Sequence, residues 1–514
     1  MPMNPQNRCT GPSARCSFLI AGALAIGTVL ASVPVHARAV TGPVKHVLLI
    51  SVDGLHAVDL QRFISSHPDS TLAALARHGI DYTRASSPAP ADSFPGLLAL
   101  ITGGTPAATG VYYDVTWDRD LAPPGGPCRP GGARVAYNEA IDGSGPHGID
   151  VSKLPRNPRR GCLPVEPWRY LRVNTVFDVV HTAGGYTAWA DKHPAYAIVE
   201  GPHGDGVDDL FTPEIGTNGE GEGSAAERIT ASIAHTEAYD AGKVHAVINE
   251  IDGLRHGGRT PAPVPELFGL NLQTINVAQK LAGYAGAGGT PTPALEAALL
   301  RVDAMIGRLR GALAKRGLAG STLIIVTAKH GNGPITDRPV RHIDAASLRR
   351  VIAKAAPGEL AQLTADHGAL VWLRHHRFAA TVARGIEASR LELGIRKVLW
   401  GARLALWFRS PAHDSRSPDL VVVPDDDVIY GKPGATKRVE HGGFLDDDRH
   451  VALLVSGPML ANPGLLVRTP VFTASVAPTM LALLGLDPVR LDAVRLQGTP
   501  LLPLSLGEKT QSSP

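Results

Sequence analysis

Cysteine is scarce, with four residues in a chain of 514, too few to staple together a fold that lacks a core of its own. Neither sign of charge dominates, since 50 lysines and arginines stand against 47 aspartates and glutamates. A formal net charge of +3 generates no strong field, which excludes partners held mainly by charge, polymeric nucleic acid and anionic membranes among them. Beyond the amino terminus no apolar run is long enough to span a bilayer. What is abundant is apolar content, 44% of the chain, which excludes disorder throughout. Glycine (56) and proline (42) exceed their average share, so a regular core with many or long loops is expected.

The single long apolar run, Phe18 to Ala31, follows Arg8 and Arg15 and is followed by Val35-His36-Ala37, a small-residue cleavage site. Gly22, Gly27 and Pro34 interrupt it, and no charged stop-transfer flank follows. Residues 1–37 therefore read as a secretory signal peptide and not as a stable membrane anchor, which predicts a periplasmic or secreted protein. Cleavage removes Cys9 and Cys16. Cys128 and Cys162 remain, in one Gly/Pro-rich segment, and an oxidising compartment favours their pairing.

Short apolar runs alternate with helical patterns along the rest of the chain. Strands are predicted at Lys45 to Val52, Tyr186 to Ala190, Val244 to Ile251, Thr322 to Thr327, Ala369 to Leu373, Leu420 to Val423 and Val451 to Val455. Helical faces cover Ser70 to His78, Ala294 to Lys315 and Val471 to Leu484. This alternation predicts an α/β fold with a mostly parallel sheet. Residues 38–514 read as one domain, with insertions near 117–168, 257–293 and 343–418 that border a site.

Charged residues cluster at the predicted strand ends. Asp53 closes the first strand in VDG; Asp252 closes another in NEIDGLRHGG, with His256 four residues on; His330 closes a third in IIVTAKHGNG; and His441 lies in EHGG. Carboxyl ends of strands in an open parallel sheet share one edge, so these residues are expected to converge there. Aspartate and histidine beside glycines suit zinc. Taken singly, each is equally a turn, cap or surface residue; their joint placement carries the reading. In SPAPADSFPGLLALITGG, Ser93 follows an extended segment and precedes Pro95, which suits the first turn of a helix through Ile101. There the backbone N–H groups and the dipole favour an anion, or the serine simply caps the helix.

These motifs, in this order, resemble the alkaline phosphatase superfamily, most closely its type I phosphodiesterase/nucleotide pyrophosphatase branch. The likeness runs from KHVLLISVDGL through DSFPGLLALITGGTPAATGVYYD, NEIDGLRHG, LIIVTAKHGNGPI and VEHGG to TPVFTASVAPTMLALLGL. It implies an α/β, alkaline-phosphatase-like three-layer sandwich with a mostly parallel central sheet. It also implies a metal-dependent hydrolase of small phosphodiesters or nucleotide phosphoesters, working through a phosphoseryl intermediate on Ser93. By the same resemblance, Asp252, His256 and His441 hold one zinc ion, and Asp53, Ser93 and His330 a second. Phe94 stands where relatives present an aromatic ring to the substrate, with core packing as its alternative.

Two departures stand out. Ala328-Lys329-His330-Gly331 replaces the family's Ser/Thr-Asp-His-Gly, exchanging a carboxylate ligand for a cation that repels a metal. Either Lys329 stands in for that ion, activating Ser93 and pairing with a substrate oxygen in a one-metal enzyme, or Asp92 or another acid restores the ligand count. Gly96 stands where nucleotide pyrophosphatases commonly carry an asparagine that holds a phosphate oxygen. Alternatives within the fold are a phosphomonoesterase, a phosphonate hydrolase or a sulfatase. Against the sulfatase, Cys162-Leu163-Pro164-Val165 is followed by Glu166 where that family's motif requires arginine. A pseudoenzyme that binds a phosphorylated ligand is the reading from a different class.

Overall fold

The structure, a computed structural model, describes residues 44–214, 229–285, 288–336, 338–432 and 434–507. The signal-peptide segment lies outside the described residues. Among the described residues, no helix is long and apolar enough to cross a membrane.

Its first regular element is the strand His46–Val52, where all but the first residue are buried. Val47 and Leu49 enter one apolar core, while Leu48, Ile50 and Val52 enter the other, so the strand is covered on both faces. Continuous apolar runs of this kind are what parallel sheets require, because helices pack on both sides. In spatial order the sheet runs 465–467, 79–82, 453–456, 322–327, 46–52, 267–272, 187–190 and 209–211. Only Leu453–Ser456 runs against the others. Helices Ile233–Ile251, Thr274–Leu281 and Pro293–Lys315 cover one face, and Ser93–Thr102, Val176–Thr182 and Val476–Leu483 the other.

Register sets the site. Ser51 pairs with Asn271 on one side and Thr327 on the other, and Ala190 pairs with Leu270. The residues that follow these strands, Asp53, Asp191-Lys192, Gln273 and Lys329-His330, therefore emerge together at the carboxyl edge.

Two sequence expectations change. Val244 to Ile251 is not a strand; it is the last part of the 19-residue helix Ile233–Ile251, capped by Ser232. Val244, Val247 and Ile251 recur at helical spacing and bury one face, a short apolar run that periodicity alone does not separate from a strand. The strand actually pairing with His46–Val52 is Leu267–Leu272, inside the segment expected to be an insertion. Gly269 breaks its apolar run, and the preceding Gly/Pro-rich stretch disguises its start.

Ala369–Leu373 and Leu420–Pro424 are strands, but of a separate antiparallel sheet with Leu360–Ala365 and Ile395–Trp400. Helices Ala345–Ala355 and Ala379–Ala388 cover it and share its apolar core. Cys128 and Cys162 form a disulfide.

Helix Ser93–Thr102 is buried along its whole length. At Gly96 it meets the Lys329 backbone: a Cβ there would stand 2.6 Å from the Lys329 carbonyl carbon and 2.9 Å from its Cα. Glycine at this position is what lets the helix approach the strand end. The absence of asparagine is thus a packing requirement of this chain. Gly96→Ala is expected to lower stability by about 1–3 kcal/mol through overpacking, read as the denaturation midpoint in urea; a wild-type midpoint would contradict the contact.

Following Lys192, the 3₁₀ segment Pro194–Glu200 is buried throughout. Burial, with the Asp205 and Asp178 carboxylates behind it, pushes Glu200 up from 4.5 to about 8. Between these values the folded state keeps a proton that the unfolded chain has released, so stability falls as pH rises from about 4.5 to about 8. Urea unfolding at pH 5 and pH 8 should show a smaller loss for Glu200→Gln than for the wild type. Equal losses would refute the assignment.

Candidate active site

Ser93 is the first residue of its helix, and Asp92 caps it by accepting the Phe94 N–H at 3.2 Å. The Ser93 hydroxyl stands 3.2 Å from His330 Nε2 and 3.2 Å from Lys192 Nζ. His330 Nδ1 lies 2.9 Å from the Gly331 carbonyl, which only accepts, so the proton is on Nδ1 and Nε2 takes the serine hydroxyl proton. Lys192 in turn donates to the serine oxygen. One neighbour accepts from the hydroxyl while the other stabilises negative charge on it.

Asp53 lies beneath this pair. Lys192 Nζ is 2.7 Å from its Oδ2, Asn271 Nδ2 donates to the same oxygen at 3.2 Å, and Lys329 Nζ is 3.5 Å from Oδ1. Lys329 also lies 3.6 Å from Asp191 Oδ1. Burial raises the Asp53 pKa, but Lys192, Lys329 and His330 overcome it and hold the carboxyl far below the usual range. Burial pushes His330 down to about 3 in spite of Asp53, with Lys192 and Lys329 adding to the push. Burial likewise lowers Lys329 against Asp191 and Asp53. For Lys192 the attraction of Asp53, Tyr196 and Asp191 outweighs burial and raises it well above the ordinary value.

His441 stacks on His330 at 4.0 Å between ring centroids. Its Nδ1 accepts from Lys280 Nζ at 3.1 Å, and its Nε2 faces Asp92 Oδ2 at 3.8 Å. Lys280 is paired with Glu440 at 2.9 Å. Burial lifts Asp92 to about 6 against the pull of its backbone hydrogen bonds and of the lysines. Phe94 is buried and stacks on Tyr196 at 4.8 Å, and Tyr196 carries Lys329 over its ring at 4.6 Å. The Phe94 ring thus supports the site from the core side.

The fold brings together Asp53, Ser93, Lys329, His330 and His441, and leaves Asp252 and His256 elsewhere. Asp252 ends the helix Ile233–Ile251, exposed and 3.8 Å from Arg316. His256 Nδ1 is 2.6 Å from Asp209, and its ring stacks on Phe211. Asp209 is the first residue of the strand Asp209–Phe211, so His256 lies at the amino edge of the sheet, opposite the carboxyl edge that carries Asp53. The misread strand at Val244 to Ile251 is the cause: a helix end was taken for a strand end.

The residues present do not fit the expected pair of zinc ions. One donor set retains only His441 from its three residues. In the other, the Lys192 ammonium stands between Asp53 and Ser93, the two oxygens an ion would bridge, and Lys329 replaces a carboxylate. Among the described residues, no group of three or more His, Cys, Asp or Glu side chains is arranged to hold a metal.

Sequence reasoning missed Asp191, Lys192, Tyr196 and Lys280. The signal for the first two was present, since Asp191-Lys192 closes the predicted strand Tyr186 to Ala190 as Asp53 closes the first. Lys280 was hidden because its helix follows a strand that had been read as loop.

Comparison with known proteins agrees with this architecture. The profile of the type I phosphodiesterase / nucleotide pyrophosphatase family matches residues 47–444. Murine ectonucleotide pyrophosphatase / phosphodiesterase 5 superposes with a TM-score of 0.58 at 14% identity, covering 86% of this chain and 96% of its own. An inactive form of the murine protein in complex with AMP gives 0.59 at 14% identity, over 90% and 100% of the two chains. A substituted variant of the alkaline phosphatase PafA gives 0.58 at 14% identity, over 86% and 95%. A search of curated proteins returned no match. The fold is alkaline-phosphatase-like, and the chain belongs to the type I phosphodiesterase / nucleotide pyrophosphatase family of phosphoric ester hydrolases.

Proposed function

We propose that this hydrolase cleaves small phosphodiesters or nucleotide phosphoesters through a phosphoseryl intermediate on Ser93. The observation that carries the reading is the serine hydroxyl held at 3.2 Å from both His330 Nε2 and Lys192 Nζ. In the first step the Ser93 oxygen forms a bond to phosphorus as its proton passes to His330, and the bond to the leaving oxygen breaks. That oxygen takes up the proton and departs as an alcohol. Water then attacks the phosphoserine, the phosphorus–serine bond breaks, and Ser93 regains its proton. Charge on the transferred group is offset by Lys192 and Lys329, which sit where it develops.

Family membership supports the substrate class, and the AMP complex of the murine relative is consistent with a nucleotide ligand. Cys162, engaged in a disulfide, is not available as a sulfatase nucleophile. That disulfide also supports action in an oxidising compartment, periplasmic or extracellular. A second reading, binding without turnover, is favoured by one observation: two ammonium groups occupy the Asp53 carboxylate where the family's metal chemistry would operate.

Purified protein is expected to cleave bis-p-nitrophenyl phosphate faster than p-nitrophenyl phosphate. Ser93→Ala should reduce turnover by at least the 10³-fold typical of nucleophile loss and prevent trapping of phosphoprotein on an acid-quenched gel. The opposite substrate order would favour a monoesterase, and absence of turnover on both would favour the binding reading.

A further inference from the structure

We infer that Lys192 and Lys329 bind the phosphoryl group directly, as a two-ammonium oxyanion site that operates without a divalent metal. The inference rests on the reading of Ser93 as the nucleophile and names how that site recognises its substrate. Both lysines follow strands whose carboxyl ends are level in the sheet, so the backbone delivers two cations to one place. They grip opposite oxygens of Asp53, at 2.7 and 3.5 Å. Lys192 alone bridges Asp53 and Ser93, the position of an ion shared by those two oxygens.

Lys329 adds an independent observation. Its side chain is fully buried, yet among the described residues its Nζ makes no hydrogen bond; Asp53 Oδ1, at 3.5 Å, likewise makes none there. A buried ammonium has three N–H groups to satisfy, and leaving them unmet is costly. The Tyr196 ring at 4.6 Å covers one side of the amine and offers no lone pair. Asp53 and Asp191 hold the amine only as ion pairs, at 3.5 and 3.6 Å, without hydrogen-bond geometry, and a tetrahedral oxyanion esterified or held at Ser93 supplies a hydrogen-bond acceptor. Ser93 and Lys192, each slightly exposed, are the parts of the cage open to an incoming ligand.

The chemistry recognised is a tetrahedral oxyanion, phosphoryl or sulfuryl, and inorganic phosphate and sulfate are the probes that separate the two. Full-length protein is treated with chelator, freed of it by gel filtration, and titrated calorimetrically with each anion, with and without added zinc. Turnover of bis-p-nitrophenyl phosphate and of p-nitrophenyl sulfate is measured on the same samples. Phosphate is expected to bind the chelated protein with an affinity that zinc changes by less than about twofold. Lys192→Met and Lys329→Met should each weaken it on the order of tenfold or more, as expected for loss of a charge-assisted hydrogen bond, whereas Lys192→Arg should retain most of it. Circular dichroism and melting identify any variant that fails to fold; the zinc comparison on wild type then decides the question alone.

Loss of phosphate binding on chelation, with recovery on adding zinc, would overturn the metal-free site. So would folded Met variants with wild-type affinity. Metal-independent phosphate binding without any turnover would leave the lysine site standing and defeat hydrolysis at Ser93. Tighter sulfate binding, with cleavage of the sulfate ester, would keep the cage and transfer its ligand to the sulfuryl class.

Discussion

A carboxylate buried beneath two ammonium groups is the interaction around which the site is organised. Asp53 has no exposure to water, and its charge persists because Lys192 and Lys329 reach it from two other strand ends of the same sheet, with Asn271 donating a further hydrogen bond. Removing one partner from such a cluster strands the rest as uncompensated buried charge, which is far more costly than the net gain of forming it. The cluster is therefore a constraint on the sheet as much as a chemical device. Strands 46–52, 187–190 and 322–327 have to stay in register for the charges to cancel.

That constraint also explains the electrostatics around Ser93, the proposed nucleophile. Ser93 stands between a neutral imidazole and a cation, while the imidazole is kept neutral by burial and by the same lysines. His330 is consequently a weak base. A phosphoester brings negative charge beside it, and an opposite charge within a few ångströms favours the protonated ring. On the proposed reading, substrate binding and base strength are coupled through Lys192 and Lys329, which lower the His330 pKa and would face the bound phosphoryl group.

Much of this was legible in the sequence, and the parts that were not have physical causes. Asp53, Ser93 and His330 lie beside strands or helices whose apolar patterns are unambiguous, so their position at a common edge followed from topology, whereas His441 lies in a loop and is brought to them by the fold. Asp252 and His256 were misplaced because eight apolar-rich residues at the end of a long helix carry the same short-run signature as a buried strand. Leu267–Leu272 is hidden for a different reason: it lies within a Gly/Pro-rich stretch that reads as an insertion, and Gly269 interrupts its apolar run. Lys192 was legible in principle. It follows a correctly predicted strand, but a lysine is not a metal ligand and so stands outside the Asp/His pattern that marks the other strand ends. Long-range features such as the close approach of Gly96 to Lys329 have no local signal at all, since the two residues are brought together only by the fold.

The antiparallel sheet and its helices, which contribute none of the charges around Asp53, nonetheless hold His441 in place. His367, just before strand Ala369–Leu373, donates its backbone N–H to the His441 carbonyl at 3.2 Å. Its ring is 2.9 Å from Asp448, with both side chains fully buried, and Asp448 accepts the Gly443 N–H at 3.3 Å. On the other side of the loop, Gly442 and Gly443 exchange backbone hydrogen bonds of 2.9 Å with Ala91, two residues before Ser93. Gly442 has a φ of +90°, and a Cβ there would stand 2.6 Å from the Tyr113 ring, so only glycine accommodates both the turn and the aromatic wall. The imidazole stacked on His330 is thereby fixed from the nucleophile segment and from the peripheral sheet at once. A segment that reads in sequence as an insertion is, through a buried His–Asp pair, a structural support for the site it borders.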